Sequence, residues 1–274
     1  MIIVVDALNK HLFQDVLTEM YRLRARVFQD RLGWEVTVRD GMEIDSFDAL
    51  NPAHVICLDD DGDVVGCMRL LQTTGPHMLA DVFHSILDGE PPLRSSRIWE
   101  ATRFCVDTKK LSGGKSRNSI SYVTSEVMTG AFEYAMKAGV KDAVAVIDPV
   151  MNRVLQRSNN APYDYLGSAK PMGKVVAMAA LMDCSPERVN AIRDFAGISG
   201  DVFATPEAAL DCFYRNRRPQ SAKRAITDPR TALLQYCQEQ YDSADTPEEQ
   251  AAAEALRLEL SPLIDETPMR RCKA

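Results

Sequence analysis

The chain has 274 residues, enough to bury a full hydrophobic core as one large domain or as one domain with an appendage. Its formal net charge of −7 argues against bulk nucleic-acid binding, although a local basic patch can still dock an acidic partner. No stretch approaches the ~18 uncharged apolar residues of a membrane span, and the acid-interrupted start MIIVVDALNK is too short for a secretory signal, so a soluble, cytoplasmic protein is expected.

Seven cysteines without CxxC spacing and four histidines without HExxH spacing indicate neither a metal site nor a disulfide framework. Most of the cysteines read as small core residues. Residues 2–6, IIVVD, predict a short buried strand, and residues 8–30 are rich in helix formers. In that helix Arg24 and Phe28 share a face, while Leu12, Val16, Leu23 and Val27 look toward a core. Gly33 breaks the pattern and leaves Trp34 in a loop, where a large aromatic serves either packing or a ligand-facing lid. Residues 40–52, DGMEIDSFDALNP, are turn-rich and acidic. Asp45 and Asp48 lie three apart, a spacing that gathers both carboxylates on one side of a turn or leaves both solvated.

Residues 54–58 and 64–72 flank DDDGD, whose Asp-Gly signal marks a hairpin. Arg69 falls in the middle of the second strand, which is apolar on both faces. Its guanidinium therefore needs carboxylate partners, and Asp45, Asp48 or Glu100 are the nearest by type. Residues 73–87 predict a turn and then a helix, with Met78, Leu79, Val82, Phe83 and Ile86 on an apolar stripe that by spacing alone makes Phe83 core.

Past Pro91 and Pro92, residues 97–107 (RIWEATRFCVD) alternate like a strand, yet place Glu100 and Arg103 among aromatic and β-branched neighbours, where an unpaired charge is costly. Strict alternation puts 100 and 103 on opposite faces, so one shared pocket demands a bulge or a strand end nearby. A half-buried ion pair without chemistry fits the same two residues.

The next loop carries Lys109, Lys110, Lys115 and Arg117, and its Gly113-Gly114 lacks the GxxxxGK[ST] pattern, which rejects a P-loop. An amphipathic helix over 120–138, a strand over 143–147, a helix over 150–157 with Arg153 and Arg157 one turn apart, and strands over 162–167 and 175–182 follow. Such alternation gives an α/β sandwich. From Ser185 the segments SPERVNAIRDFAGI and TPEAALDCFY open on Ser and Thr-Pro helix starts, RNRR (215–218) forms a basic hinge, and two further helical patterns make the end of the chain an appended helical hairpin.

Taken together, RxxVFxxRLGW (24–34), Asp45 and Asp48 in EIDSFD, MRLLQTTGPHML (68–79) and WEATRF (99–104) resemble the acyl-homoserine lactone synthase (autoinducer synthase) family, in that family's order and spacing, over roughly residues 1–200. The resemblance implies a synthase domain over 1–218, with 219–274 as a helical extension. It implies a three-layer α/β sandwich similar to the N-acetyltransferases, its mixed sheet split and flanked by helices. The implied substrate is S-adenosylmethionine, with no tightly bound cofactor, and the acyl donor is a thioester on acyl carrier protein or coenzyme A. Carried over by position, Glu100, Arg103, Asp45, Asp48 and Arg69 take catalytic places, and Arg24, Phe28, Trp34, Phe83 and Arg103 bind S-adenosylmethionine. Arg153 and Arg157 lie where the carrier docks, and Ala145 stands in the acyl pocket where the family often places a threonine for a 3-oxo group.

The implied chemistry needs a base for the substrate amine, for which Glu100 is the candidate, and donors for an oxyanion, which backbone N–H groups of a split strand supply. Arg24, Arg69 and Arg103 set against Asp45, Asp48 and Glu100 make a formally neutral chamber, with Phe28 and Trp34 over the sulfonium. An acyl-coenzyme A-dependent acyltransferase of another amine is the rival enzyme reading, and a non-enzymatic interaction module the rival of another class.

Overall fold

A single mixed sheet of seven strands, in the order β1-β4-β5-β6-β7-β9-β8, organises the chain. In chain order the elements of the computed structural model are β1 (Ile2–Val5), α1 (Gln14–Ala25), β2 (Val38–Arg39), β3 (Met42–Glu43), β4 (Ala53–Leu58), β5 (Val64–Gln72), α2 (Met78–Asp81), β6 (Ile98–Val106), α3 (Thr108–Leu111) and α4 (Ile120–Lys137). There follow β7 (Asp142–Ile147), α5 (Pro149–Arg157), β8 (Asp164–Met172), β9 (Val175–Asp183), α6 (Pro186–Ala196) and α7 (Pro206–Tyr214). The structure describes residues 1–112, 114, 119–172, 175–217, 250, 251, 254, 255, 257 and 258. The chain divides into two compact units, Met1–Arg217 and Arg218–Ala274. In the second unit residues 250, 251, 254, 255, 257 and 258 are helical. The rest of the helical pattern over 219–274 lies outside the described residues, as do Gly113, Lys115, Arg117 and Arg218.

Every neighbouring pair in the sheet is antiparallel except β6 and β7. Those two strands pair only over Ile98–Glu100 and Asp142–Val144, although they run on to Val106 and Ile147. The sheet is therefore split at its centre, and backbone groups of both strands beyond Glu100 and Val144 are freed from the shared ladder.

Helices cover both faces. α4 packs Val123, Val127, Met128 and Phe132 on one face against Ile2, Val55, Val65 and Leu70. α1 packs Val16, Met20 and Leu23 on the other, against Ile3, Ile56, Cys67 and Cys105, while Leu79, Ile86 and Leu87 meet Val144, Ala177 and Ala179 nearer β9. Each fully buried large aliphatic or aromatic side chain contributes about 1.5–3 kcal/mol, so these layers hold the sheet closed around what lies between them. Five of the cysteines, at 57, 67, 105, 184 and 212, are buried, and Cys237 and Cys272 lie outside the described residues. At the sheet edge Ile2 donates to Val202 and accepts from Ala204, so β1 is covered on its outer side as well.

Two predicted helices are interrupted. Residues 8–30 form a 3-10 turn at Lys10–Leu12, then α1, then a π-helical turn at Arg26–Arg31. Asp6 and Asn9 trade side-chain bonds with nearby backbone, Asn9 Oδ1 accepting from Asp6 N and Asp6 Oδ1 from Leu8 N, and so compete with helix at its start. At the other end the π turn closes with Leu32 N donating to Val27 O. Residues 73–87 give only the single turn α2 and a 3-10 turn at His84–Leu87, and the first N–H groups of α2, which have no partner within the helix, are taken by the carboxylate of Glu100.

The predicted hairpin over DDDGD forms as expected, and Gly62 has φ +83 there. A Cβ on Gly62 would lie 2.1 Å from the carbonyl oxygen of Cys212 in α7. Gly62→Ala is therefore expected to destabilise the fold by about 1–3 kcal/mol. Urea unfolding of the variant beside the wild type checks this, and an unchanged midpoint would refute the close approach.

Candidate active site

The acidic segment before β4 builds the first part of the site. Asp45 caps the 3-10 turn Ser46–Leu50: its Oδ1 accepts from Phe47 N at 2.9 Å, while Asp48 Oδ2 accepts from Asp45 N at 2.9 Å. This reciprocal cap fixes two acids three apart on one side of the turn. Glu43 ends β3 two residues earlier and is fully buried.

Three arginines from three other elements meet these acids. Arg24 of α1 gives Nε to Glu43 at 2.5 Å, and its Nη1 and Nη2 to Asp48 at 2.8 and 2.9 Å. Arg69 of β5 spans Asp48 at 2.9 Å and Asp45 at 2.6 and 3.0 Å, with its Nε on Thr102 Oγ1 at 3.0 Å. Arg103 of β6 gives Nη2 to Asp45 at 2.6 Å and Nε to Glu43 at 3.1 Å, which closes the circuit. Followed round, the charges alternate as Arg24, Asp48, Arg69, Asp45, Arg103, Glu43 and back to Arg24. Burial of a guanidinium or carboxylate costs several kcal/mol unless it is paired, and here each charge touches two of opposite sign.

The bulge demanded by the spacing of 100 and 103 is present. Arg69 pairs with Thr102 and Cys67 with Cys105, so β6 holds one residue more than β5 across this interval. Arg103 sits there at φ +52, a left-handed conformation that turns its side chain to the same face as Thr102. The ring opens to solvent on one side only. Arg24, Arg69 and Glu43 have fully buried side chains and Asp48 is nearly so, whereas Arg103 is 12% and Asp45 18% exposed. Among the described residues the Nη1 of Arg103 meets the sulfur of Met78, at 3.3 Å, a weak acceptor that leaves this edge available.

Burial raises the Asp48 carboxyl, but the hydrogen bonds and charge of Arg24 with the charge of Arg69 overcome that and hold it well below the usual carboxylate range. Burial lowers Arg103, which Glu43 and Asp45 offset only in part.

Glu100 is not in the ring, which corrects its place as a partner of Arg69 and as the third acid of the chamber. It is fully buried, its oxygens accept from Met78 N at 2.6 Å and Leu79 N at 2.7 Å, and it does not pair with Arg103 either. Burial pushes its carboxyl up to about 7, against the two N–H groups and the charge of Arg69. Glu43 fills the third acidic place instead. It stands two before Asp45, and the extended backbone at that point sets both on one side, which the turn-rich sequence does not announce.

Phe28 is buried and stacks on Trp34, with ring centroids 5.2 Å apart, and the Arg103 guanidinium lies over Phe28 at 5.7 Å. Trp34 is 38% exposed and held by its backbone N–H on Phe28 O at 2.9 Å. Phe83 is half-buried and packs between the cluster of Phe47, Leu71 and Met78 and that of Leu79 and Val144. Three expected positions lie away from the ring. Ala145 is buried on the opposite, α4-side face among Met128, Trp99, Met151 and Met178, and Arg153 and Arg157 are exposed on α5.

β6 and β7, the parallel pair of the sheet, part beyond Glu100 and Val144, and the ring of alternating charges hangs partly on β5 and β6 beside that parting. The family model described as autoinducer synthase matches residues 9–192, and the chain belongs to that family. A probable acyl-homoserine-lactone synthase of Sinorhizobium fredii is 36% identical over 178 residues, 65% of this chain and 85% of that protein. An acyl-homoserine-lactone synthase of Aeromonas salmonicida is 35% identical over 167 residues, 61% of this chain and 79% of that protein. Among solved structures, MesI, a CoA-dependent acyl-homoserine lactone synthase, superposes with a TM-score of 0.64 at 30% identity, covering 74% of this chain and 98% of that one. LasI, described as an AHL synthase, gives a TM-score of 0.62 at 30% identity over 73% and 98%.

Glu100 also sets a pH dependence. Below its ordinary value of 4.5 it is protonated in both the folded and the unfolded chain. As pH rises the unfolded chain releases the proton first, so stability is lost across the window from 4.5 to about 7 and levels off above it. Chemical denaturation of wild type and Glu100→Gln at intervals through this window should show the difference in unfolding free energy falling with pH. A flat difference would refute the burial effect.

Proposed function

We propose that the chain synthesises an acyl-homoserine lactone, N-acylating S-adenosylmethionine from an acyl thioester and then closing the lactone with release of methylthioadenosine. The observation that carries this reading is the open edge of the charge ring, where Arg103 and Asp45 are partly exposed side by side. A cationic donor and a carboxylate 2.6 Å apart complement the carboxylate and ammonium of one α-amino acid. Trp34 and Phe28 beside that edge suit a sulfonium and an adenine ring.

In the first step the substrate amine loses a proton and attacks the thioester carbonyl; the N–C bond forms, the C–S bond breaks and the thiol leaves. Glu100 takes the amine proton, directly or through a water. A carboxyl near 7 suits a base working at neutral pH, and the N–H groups of Met78 and Leu79 hold it in one orientation. Backbone N–H groups of the split strands receive the oxyanion. In the second step the carboxylate attacks the carbon bonded to the sulfonium, the C–O bond forms, and methylthioadenosine departs neutral. Asp48, Arg69 and Arg24 keep the ring closed behind Arg103, and Phe83 packs beside Met78.

The ring is neutral while S-adenosylmethionine carries one net positive charge, so an ionised Glu100 balances the filled site. The acyl chain passes through the split toward Ala145 and its methionine neighbours. Coenzyme A or acyl carrier protein is the donor, with Arg153 and Arg157 docking an acidic carrier. Residues 1–218 carry the activity, 219–274 form the extension, and the cytoplasm, where such thioesters are made, is its compartment.

Incubation with S-adenosylmethionine and a panel of acyl-coenzyme A and acyl-carrier-protein thioesters should yield methylthioadenosine and a lactone by mass spectrometry. Acyl transfer to other amines without methylthioadenosine would overturn the reading in favour of an ordinary N-acyltransferase. In the same assay Glu100→Gln should lose roughly 100-fold or more in acylation, and Trp34→Ala should raise the S-adenosylmethionine KM by about 3- to 10-fold with a smaller change in kcat.

A further inference from the structure

Glu43 is the ring member to which neither the resemblance nor the chemistry above assigns a part. As a charge partner for Arg24 it acts together with Asp48, which takes that guanidinium with both oxygens at 2.8 and 2.9 Å. Its other oxygen serves a second arginine. Glu43 Oε1 receives the Nε of Arg103 at 3.1 Å, while Asp45 receives Nη2 at 2.6 Å. A planar guanidinium held at one corner pivots about that bond, whereas two grips fix its plane and direct the remaining Nη1 edge. The residue so held is the one on the bulge at φ +52, and the one arginine of the ring with an exposed edge.

We propose that Glu43 is a positioning residue, which by gripping Nε of Arg103 aims the Nη1 edge at the substrate carboxylate and lines that carboxylate up for lactone closure. The proposal rests on the S-adenosylmethionine reading above. It makes a demand that a purely structural acid does not. Acylation uses the amine and proceeds with the carboxylate loosely held, whereas closure is an intramolecular displacement that depends on its direction. Loss of the grip should therefore uncouple the second step from the first.

The test is the ratio of methylthioadenosine released to thiol released, measured for wild type, Glu43→Gln and Glu43→Asp together with thermal melting of each. Glu43→Asp keeps the charge but is one methylene too short to reach both arginines, so it separates neutralisation from positioning. The ratio is expected near one in wild type and about 10-fold or more lower in both variants, with N-acyl-S-adenosylmethionine accumulating in the mass spectrum. Glu43→Asp should recover melting temperature but not the ratio. If both rates fall in proportion, or if Glu43→Asp restores the wild-type ratio, the proposal is overturned and Glu43 serves as ballast for Arg24. Wild type that releases thiol but never methylthioadenosine would instead overturn the lactone reading, and the proposal with it.

Discussion

The rest of the first unit is built to sustain six charges, four of them with buried side chains, in a closed alternating circuit. Each guanidinium is flanked by two carboxylates and each carboxylate by two guanidinia, drawn from α1, the end of β3, the 3-10 turn after it, β5 and β6. Ions taken out of water cost several kcal/mol each even after relaxation, and mutual attraction offsets this only when the geometry is good and few lone pairs go unmet. The apolar clusters around α1 and α2 supply the surplus that makes the arrangement affordable, and the capping of Asp45 by Asp48 sets two of its members before any arginine arrives. Removing one member leaves the whole circuit with an uncompensated charge, which is why its parts act as a unit.

Much of this was legible from residue types and spacing. An arginine in the middle of an apolar strand required carboxylates, and Arg69 has two of the three that were named for it. The alternation of β6 required a bulge between residues 100 and 103, and the register supplies it. Two acids three apart announced a turn with both on one side.

What was not legible depended on groups that carry no mark in a one-letter string. Glu100 found its partners in backbone N–H groups at the start of α2, which no side-chain pairing rule can identify. Glu43 lies in a strand of two residues, too short for periodicity to register. The predicted helix over residues 8–30 was cut by local side-chain bonds of Asp6 and Asn9 at one end and by a π turn at the other. There tertiary demand won: the wider turn carries Phe28 to Arg103 and Trp34, and Arg31 reaches across to Val106 O at 3.2 Å.

The covered edge of β1 bears on how the molecule comes into being. β1 is made well before its outer partners, Val202 and Ala204, which come only when nearly the whole unit has been made. Until then an apolar strand with an unpaired side waits in the nascent chain, open to pairing with the wrong neighbour. The interval between the synthesis of β1 and the arrival of those residues is thus when crowding among sister polypeptides does most harm.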